Sequence, residues 1–338
     1  MKATPIEINW NPELSIFSKE SFLKVVSDKY GWLGGVDNAG KLRCILPYTI
    51  VRKMLIRMAR FRVETLPVGE ELDLQDEKAF LNSVVDYLRA IGADMIIPAT
   101  TNTIFRTYPD GAIAAPYGSY VIDLSQPEHA LWKKIHKITR QNINTAKKNG
   151  VTIQTGIEQL DAAYALTLET FKRSKLPFMN HEAYKRYALG LGENCMIMVA
   201  YYQGIAQSCT LYAFSDYCAY AVYGGNIAGT HQGAMKLIQW ESMRLFNSLG
   251  VKRFDFVGAR INPEKDSKQD ALSSFKRRFG ATLREGYMWK HSLHPFKYRL
   301  YCIAARLRSG GDIVDVEQHK LDKATDLNAD NSTAQNYG

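Results

Sequence analysis

YCAYAVYGGN (217–226), IAGTHQG (227–233), AMKLIQWESMRLFNSLG (234–250) and VKRFDFVGAR (251–260) follow one another directly and, after a polar loop, lead to SSFKRRFG (273–280). The first block alternates and is rich in aromatic and β-branched residues, which predicts a strand ending at the Gly224-Gly225 pair. The third puts Met235, Ile238, Ser242, Leu245, Phe246 and Leu249 on one helical face and stops at Gly250, where a helix commonly takes a left-handed cap. Phe254 and Phe256 then make a second, short strand. The expected unit is strand, glycine-bearing loop, helix, strand. The N-terminus of its helix would present unpaired N–H groups to any anion nearby.

Outward from this run, length and composition set limits. A chain of 338 residues with 46% hydrophobic content is long enough for two cores. No stretch approaches the roughly 20 apolar residues that a membrane span needs, and MKATPIEINWNPE at the start has no apolar signal core. A cytoplasmic protein without a transmembrane segment is expected. Cys44, Cys195, Cys209, Cys218 and Cys302 are odd in number and lack C-x-x-C spacing, so they read as small buried apolar residues rather than a metal site or disulfide framework. No metal is expected.

In chain order, residues 1 to 17 read as a lead-in and Ser18 to Asp28 as a helix with Ser18 as N-cap. Tyr30 to Val36 and Leu42 to Val51 make a hairpin across Asp37 to Gly40. Met54 to Glu64 adds a strand, Asp76 to Ile91 an amphipathic helix, and Asp94 to Pro98 and Tyr120 to Leu124 two more strands. Ser125 caps a basic helix. A strand from Val151, helices over Ile157 to Lys172 and His181 to Leu189, and a hairpin of Met196 to Tyr202 with Ile205 to Phe214 repeat the first half's order. The fold class is therefore α+β: two lobes, each a mixed, mostly antiparallel sheet flanked by helices. The expected division is 1–125, a basic connecting helix 126–150, 151–308, and a polar, disordered tail 309–338. Ahead of that tail, Pro295 to Leu307 mixes Phe296, Leu300, Ile303 and Leu307 with Lys297, Arg299 and Arg306. It reads as a closing helix packed on the second lobe, with a surface resting on membrane headgroups as the alternative.

The formal net charge of +9 is unevenly spread. From Leu131 to Gly150 there are six basic residues and no acidic one. On one helix, Lys133, Lys137, Arg140 and Lys147 would form one stripe and Leu131, Ile135, Ile138 and Ala146 another. A solvated helix face and a surface for a polyanion (tRNA, a nucleotide-sugar diphosphate, an anionic membrane) both fit. No nucleophile elbow, H-E-x-x-H or Walker loop is present, which argues against hydrolase, metalloprotease and P-loop chemistry.

Tyr223-Gly224-Gly225, Leu237 with Gln239-Trp240-Glu241, Gly250, Asp255-Phe256 with Gly258, and Phe275-Lys276 leading to Phe279-Gly280 resemble, in order, the C-terminal half of the Fem-type transferases (FemAB). They also resemble the related BioF2-like acetyltransferase domains; both belong to the wider GNAT superfamily. Arg140 to Ile143 with Ala146 to Val151 resembles the basic helix joining the two Fem lobes. The resemblance covers roughly 120 to 290. It implies two GNAT-like lobes with the substrate cleft between them, and direct attack of an amine on an acyl carbonyl.

The resemblance also implies roles. Lys276 would point into the cleft and stabilise the oxyanion or hold a diphosphate, with Phe275 beside it and Asp255 near the following loop as further catalytic candidates. Without the motif, Lys276 is one of three adjacent cations with Arg277 and Arg278. Tyr223 and Gly224 would touch the substrate, a core tyrosine being the alternative. Arg173, after a segment resembling the acceptor-lining helix, would hold a phosphate or carboxylate bidentately. Arg140 would contact substrate or pack the lobes. His231 is a candidate proton acceptor, and Glu241 pairs with Arg244 along its helix. Gly233 and Ala234 stand where GNAT proteins carry a pyrophosphate loop, here degenerate; a well-formed loop favours acyl-CoA, a degenerate one admits aminoacyl-tRNA. The expected function is transfer of an aminoacyl or acyl group onto an amine of a nucleotide-linked or lipid-linked cell-envelope precursor such as a peptidoglycan muropeptide, with tRNA and the inner face of an anionic membrane as further partners. The alternatives are a CoA-dependent N-acetyltransferase of an amino sugar in surface polysaccharide synthesis and a non-catalytic nucleic-acid binder.

Overall fold

The computed structural model describes residues 1–321. In chain order the elements are β1 (Lys2–Ile6), α1 (Glu20–Val26), β2 (Lys29–Val36), β3 (Leu42–Lys53), β4 (Ile56–Phe61), β5 (Leu66–Pro67), α2 (Leu74–Ala90), β6 (Met95–Ile96) and β7 (Ile113–Asp123). Then come α3 (Glu128–Lys134), α4 (Lys137–Lys148), β8 (Thr152–Thr155), α5 (Leu160–Arg173), α6 (His181–Leu191), β9 (Cys195–Tyr202), β10 (Ile205–Phe214) and β11 (Ala219–Asn226). The chain continues through α7 (Ala234–Ser248), β12 (Arg253–Asp255), α8 (Lys268–Arg277), β13 (Thr282–Ser292) and α9 (Pro295–Ser309).

Two compact units form, and their boundaries differ from the expected ones. The first combines Met1–Ile8, Ser27–Gly118 and the chain from Glu285; the second combines Asn9–Val26 with Ser119–Arg284. The last part of β13 and α9 thus belong to the first unit, although they follow the second in sequence.

In the first unit, β2 and β3 form the expected hairpin, closed by Asp37, whose Oδ1 accepts from the N–H groups of Ala39 and Lys41 at 3.0 and 2.9 Å. Antiparallel β4 joins β3, β6 pairs parallel to β4, and β13 pairs antiparallel to β6. The expected lead-in is in fact strand: β1 pairs with β2 from Lys2↔Val36 to Ile6↔Trp32. Asp73 caps α2 by accepting from the Gln75 N–H at 2.7 Å, and α2 buries Phe80, Leu81, Val84 and Leu88 against Leu33, Leu46, Phe61 and Trp289.

Two expectations about the end of the chain are corrected. Residues 313–321 are helical, with Val314 buried, so the tail expected to be disordered from 309 is structured through 321; its remainder, 322–338, lies outside the described residues. The fully buried Lys290 of β13 holds this helix, pairing with Asp312 at 3.1 Å and Asp315 at 2.6 Å. A buried ammonium is tolerable only when so paired. Helix α9 packs Tyr298 and Tyr301 on Met58, Met95 and Ile97 of its own unit, while Phe296, Leu300, Ile303 and Leu307 are exposed. They do not serve as the packing face of a closing helix on the second lobe.

In the second unit the strand order is β7-β12-β11-β10-β9-β8, mixed because β11 and β12 are parallel while the other neighbours are antiparallel. Helix α5 lies directly on β11: a Cβ at Gly225 would fall 2.4 Å from the Leu166 carbonyl oxygen. Helices α4 and α7 contribute Ile143, Ile238, Met243 and Phe246 to a core shared with Tyr212, Phe254 and Phe279. Gly250 ends α7 with φ +79°, the left-handed conformation expected of it.

The basic helix is not continuous. Ile135 is extended, at φ −68° and ψ 133°, and His136 caps α4 by accepting from the Ile138 N–H at 3.3 Å; Ser125 instead bonds Asp123. The break resets the helical phase, so Ile143 is buried and Ile138 is exposed.

Candidate functional site

The strand pair at the centre of the second unit is irregular in two ways. Between β10 and β11 the register runs Leu211↔Tyr223 and then Tyr212↔Ala221, so Val222 is an extra residue and β11 bends there. Between β11 and β12 the rungs are Ala219↔Phe254 and Tyr220↔Asp255. β12 ends at Asp255 while β11 runs on to Asn226. The two parallel strands therefore part like a fork, and from Ala221 onward β11 has an edge without a β12 partner. Such an edge offers backbone N–H and C=O groups to an extended ligand.

The turn after β12 forms one side of the fork. Val257 and Gly258 take φ +43° and +54°, a costly conformation for a β-branched valine, and it is held from two directions. Asp255, fully buried, accepts from the Val257 N–H at 2.8 Å and from the Ser119 hydroxyl, both on Oδ1. From α8, the Lys276 ammonium donates to the carbonyls of Val257 and Gly258 at 2.5 and 2.6 Å. Desolvation pushes Lys276 down to about 8, with the negative charge of Asp255 opposing the shift. The second Asp255 carboxylate oxygen, Oδ2, is enclosed and accepts no hydrogen bond from the described residues.

Helix α8 also borders a cleft of about 480 Å³, lined by Thr139 of α4, Lys236 of α7, Asp266 and Ser267 just ahead of α8, Asp270 and Phe275 of α8, and Arg278. Phe275 is an aromatic wall, its ring tilted at 57° to that of Phe279 with centroids 5.2 Å apart. The Lys236 ammonium is held below the usual lysine range by burial and by the charge of Arg278. The cavity is of mixed charge, because Asp266 and Asp270 line it together with these two cations. Lys236 and Arg278 were not among the residues singled out from the sequence. The available signal was positional: Lys236 lies in the first turn of the helix after the glycine loop, and Arg278 closes the KRR run.

In the loop ahead of α7, three N–H groups have internal acceptors. The N–H of His231 donates to Gln207 Oε1 at 2.9 Å, that of Gly233 to His231 Nδ1 at 3.3 Å, and that of Ala234 to the His231 carbonyl at 3.0 Å. A Cβ on Gly233 would lie 2.4 Å from the Asn142 carbonyl oxygen, so this glycine is required where α7 crosses α4. In this structure Gly233 and Ala234 commit these donors within the protein.

The other sequence candidates divide between the two faces of the sheet. Tyr223 packs its ring against Phe178, Tyr184 and Tyr187 on the α5–α6 side, with centroids 5.4, 6.0 and 5.5 Å away. Its neighbour Gly224 is exposed and turned toward Met235 of α7, as strand alternation requires. Arg173 is tied to Glu169 and donates to the Asn226 carbonyl at 2.5 Å, pinning α5 to the end of β11. Arg140 is half-buried on α4, and among the described residues its guanidinium makes no hydrogen bond or ion pair. Glu241 pairs with Arg244 at 2.9 Å, as expected, and also with Lys147 at 2.6 Å. Lys276, Phe275 and Asp255 thus cluster around the fork and the cleft, while Tyr223 and Arg173 lie on the opposite face.

Residues 108–206 match the model of the FemAB family. No curated protein matches the chain in sequence. Among solved structures the fold is similar to that of FemX, with a TM-score of 0.61 at 15% identity over 85% of this chain and 93% of that one. It is also similar to the C-terminal domain of a putative lysylphosphatidylglycerol synthetase from Agrobacterium fabrum, with a TM-score of 0.51 at 13% identity over 82% and 90% of the two chains. A conserved protein of unknown function from Bacteroides thetaiotaomicron gives a TM-score of 0.51 at 14% identity over 82% and 90%. The Fem resemblance therefore holds in fold and, by family model, over a stretch that includes α3 and α4 and ends before residue 217. No helix among the described residues is long and apolar enough to cross a membrane.

Proposed function

We propose that this chain is an aminoacyltransferase that forms an amide on an amine of a cell-envelope precursor, with aminoacyl-tRNA as donor. The observation that carries this reading is the fork between β11 and β12, with the Lys276-held turn at its side and a cavity reached by Lys236 and Arg278 along the same helix α8. An ester carbonyl in the fork would lie along the edge of β11 that β12 leaves unpaired, beside the turn that Lys276 holds. The amine nitrogen attacks the ester carbon, a C–N bond forms, the C–O bond to the ribose breaks, and one proton passes from the amine to the departing ribose oxygen. Lys276 spends two of its three N–H bonds on carbonyls; the third would serve the oxyanion. Losing one such donor typically costs about 2.7 to 4 kcal/mol of barrier.

Two features support tRNA over acyl-CoA. The N–H groups of His231, Gly233 and Ala234 already have internal acceptors, which leaves those three without capacity for a diphosphate. The exposed Lys133, Lys137 and Lys148 lie on α3 and α4, and α4 contributes Thr139 to the cleft, so a polyanion lying along these cations would run past the cleft that α8 shares. The test incubates the protein with radiolabelled aminoacyl-tRNA, or with labelled acetyl-CoA, and a nucleotide-linked or lipid-linked muropeptide, and identifies the product by mass spectrometry. Amide product from aminoacyl-tRNA is expected. Product from acetyl-CoA alone would replace this reading with the N-acetyltransferase one. No product from either donor, with salt-dependent binding to any nucleic acid, would leave a passive polyanion binder.

A further inference from the structure

We propose that the first unit carries a docking surface for an anionic phospholipid bilayer, built from the outer face of α9 and the tip of the β3–β4 hairpin. Phe296, Leu300, Ile303 and Leu307 recur at i, i+4, i+7 and i+11, which places them in one stripe along α9. All four are exposed, Leu307 at 85%. The opposite face of α9 is engaged: the half-buried Tyr298 and Tyr301 pack on Met58, Met95 and Ile97, and Lys297 pairs with Asp94 at 2.9 Å. The exposed stripe is therefore the second face of a helix already anchored in its unit.

A second, independent element stands beside it. At the hairpin tip Met54 and Leu55 are 85% and 76% exposed, and Met54 is held at φ +55°, so the turn presents both side chains outward. Val51 and Ile56, flanking the tip, pack on the same small cluster that receives Tyr298 and Tyr301. Helix and hairpin tip are thus two apolar projections from one base.

The charge around them identifies the occupant. Arg299 and Arg306 flank the stripe, Arg52 and Lys53 flank the tip, and α9 contains no acidic residue. Among the described residues none of these four cations makes an ion pair. Exposed apolar side chains edged by unpaired cations match the boundary between acyl chains and anionic headgroups. A second copy of this chain is a poorer fit, because a two-fold contact through this patch would bring cations against cations with no carboxylate to meet them.

The test is flotation of the full-length protein with vesicles of phosphatidylcholine alone and of phosphatidylcholine with phosphatidylglycerol. Binding is expected only to the anionic vesicles and should weaken with salt. The variants Leu300→Glu/Ile303→Glu and, separately, Met54→Glu/Leu55→Glu, both at exposed positions, should each lower vesicle partitioning by about tenfold or more, with the circular dichroism spectrum unchanged. Wild-type protein that stays off anionic vesicles, or variants that float as the wild type does, overturn the proposal. A wild-type dimer that both variants convert to monomer overturns it in favour of self-association. Because the readout is flotation, the outcome is independent of whether the aminoacyl transfer described above takes place.

Discussion

Lys276 was singled out from the sequence for its place in a motif, and its surroundings give it a more specific task. Its ammonium donates to two carbonyls of a left-handed turn, so its first effect is on backbone geometry at the mouth of the fork. Replacing it with methionine removes the charge and both bonds; transfer should fall by at least about a hundredfold if an oxyanion donor is also lost. The pH dependence has a definite sign. With Lys276 near 8 in the fold and in the usual lysine range when unfolded, the two states bind protons equally below about 8. Between there and the unfolded value the unfolded chain binds more, so this group's contribution to stability rises with pH across that window. Urea midpoints of wild type and Lys276→Met at pH 7.5 and 9.5 should show a rise in the wild type that the variant lacks. A variant with the same rise would place the titration elsewhere. Asp255 was legible as a strand-end carboxylate, but its hold on Val257 was not, because that bond depends on a turn conformation that residue types alone do not specify.

The connecting segment shows how a local break changes a surface. Read as one helix, residues 131 to 150 give a single basic stripe; broken at Ile135 and His136, they give two short helices with different phases. Lys147, though exposed, is paired with Glu241 at 2.6 Å, leaving Lys133, Lys137, Arg140 and Lys148 for a polyanion. Lys137→Ala with Arg140→Ala should flatten the log–log salt dependence of tRNA binding by about 1.5 to 2; an unchanged slope would remove α4 from the contact. The crossing of α4 and α7 is equally specific. Gly233→Ala places a methyl 2.4 Å from the Asn142 carbonyl, and such overpacking should cost about 1 to 3 kcal/mol, read as a lowered urea midpoint. A fully stable alanine variant would mean that the helices can slide apart at no cost.

At the scale of the whole molecule, the first unit is discontinuous in sequence: its core takes Trp289 from the part of β13 that follows the second unit. A chain ended after Arg284 should therefore lose protection in β4 and β6 to hydrogen exchange while β9 and β10 keep theirs; equal protection in both would mean that β13 is dispensable. What the sequence by itself determined was local. The hairpins at 29–53 and 195–214, the helix at 234–248 with its Gly250 cap, and the strand that runs to the Gly224-Gly225 pair follow from periodicity, turn chemistry and backbone sterics, which act over a few residues. Only the tertiary structure decided the rest. It set the fork between β11 and β12, the pairing of Lys236 with Arg278 across a cleft, the capture of residues 313–321 by Lys290, and the outward stripe of α9. Each of these arises between segments far apart in the chain, where burial and charge depend on which partner arrives, and no pattern within a single segment encodes that choice.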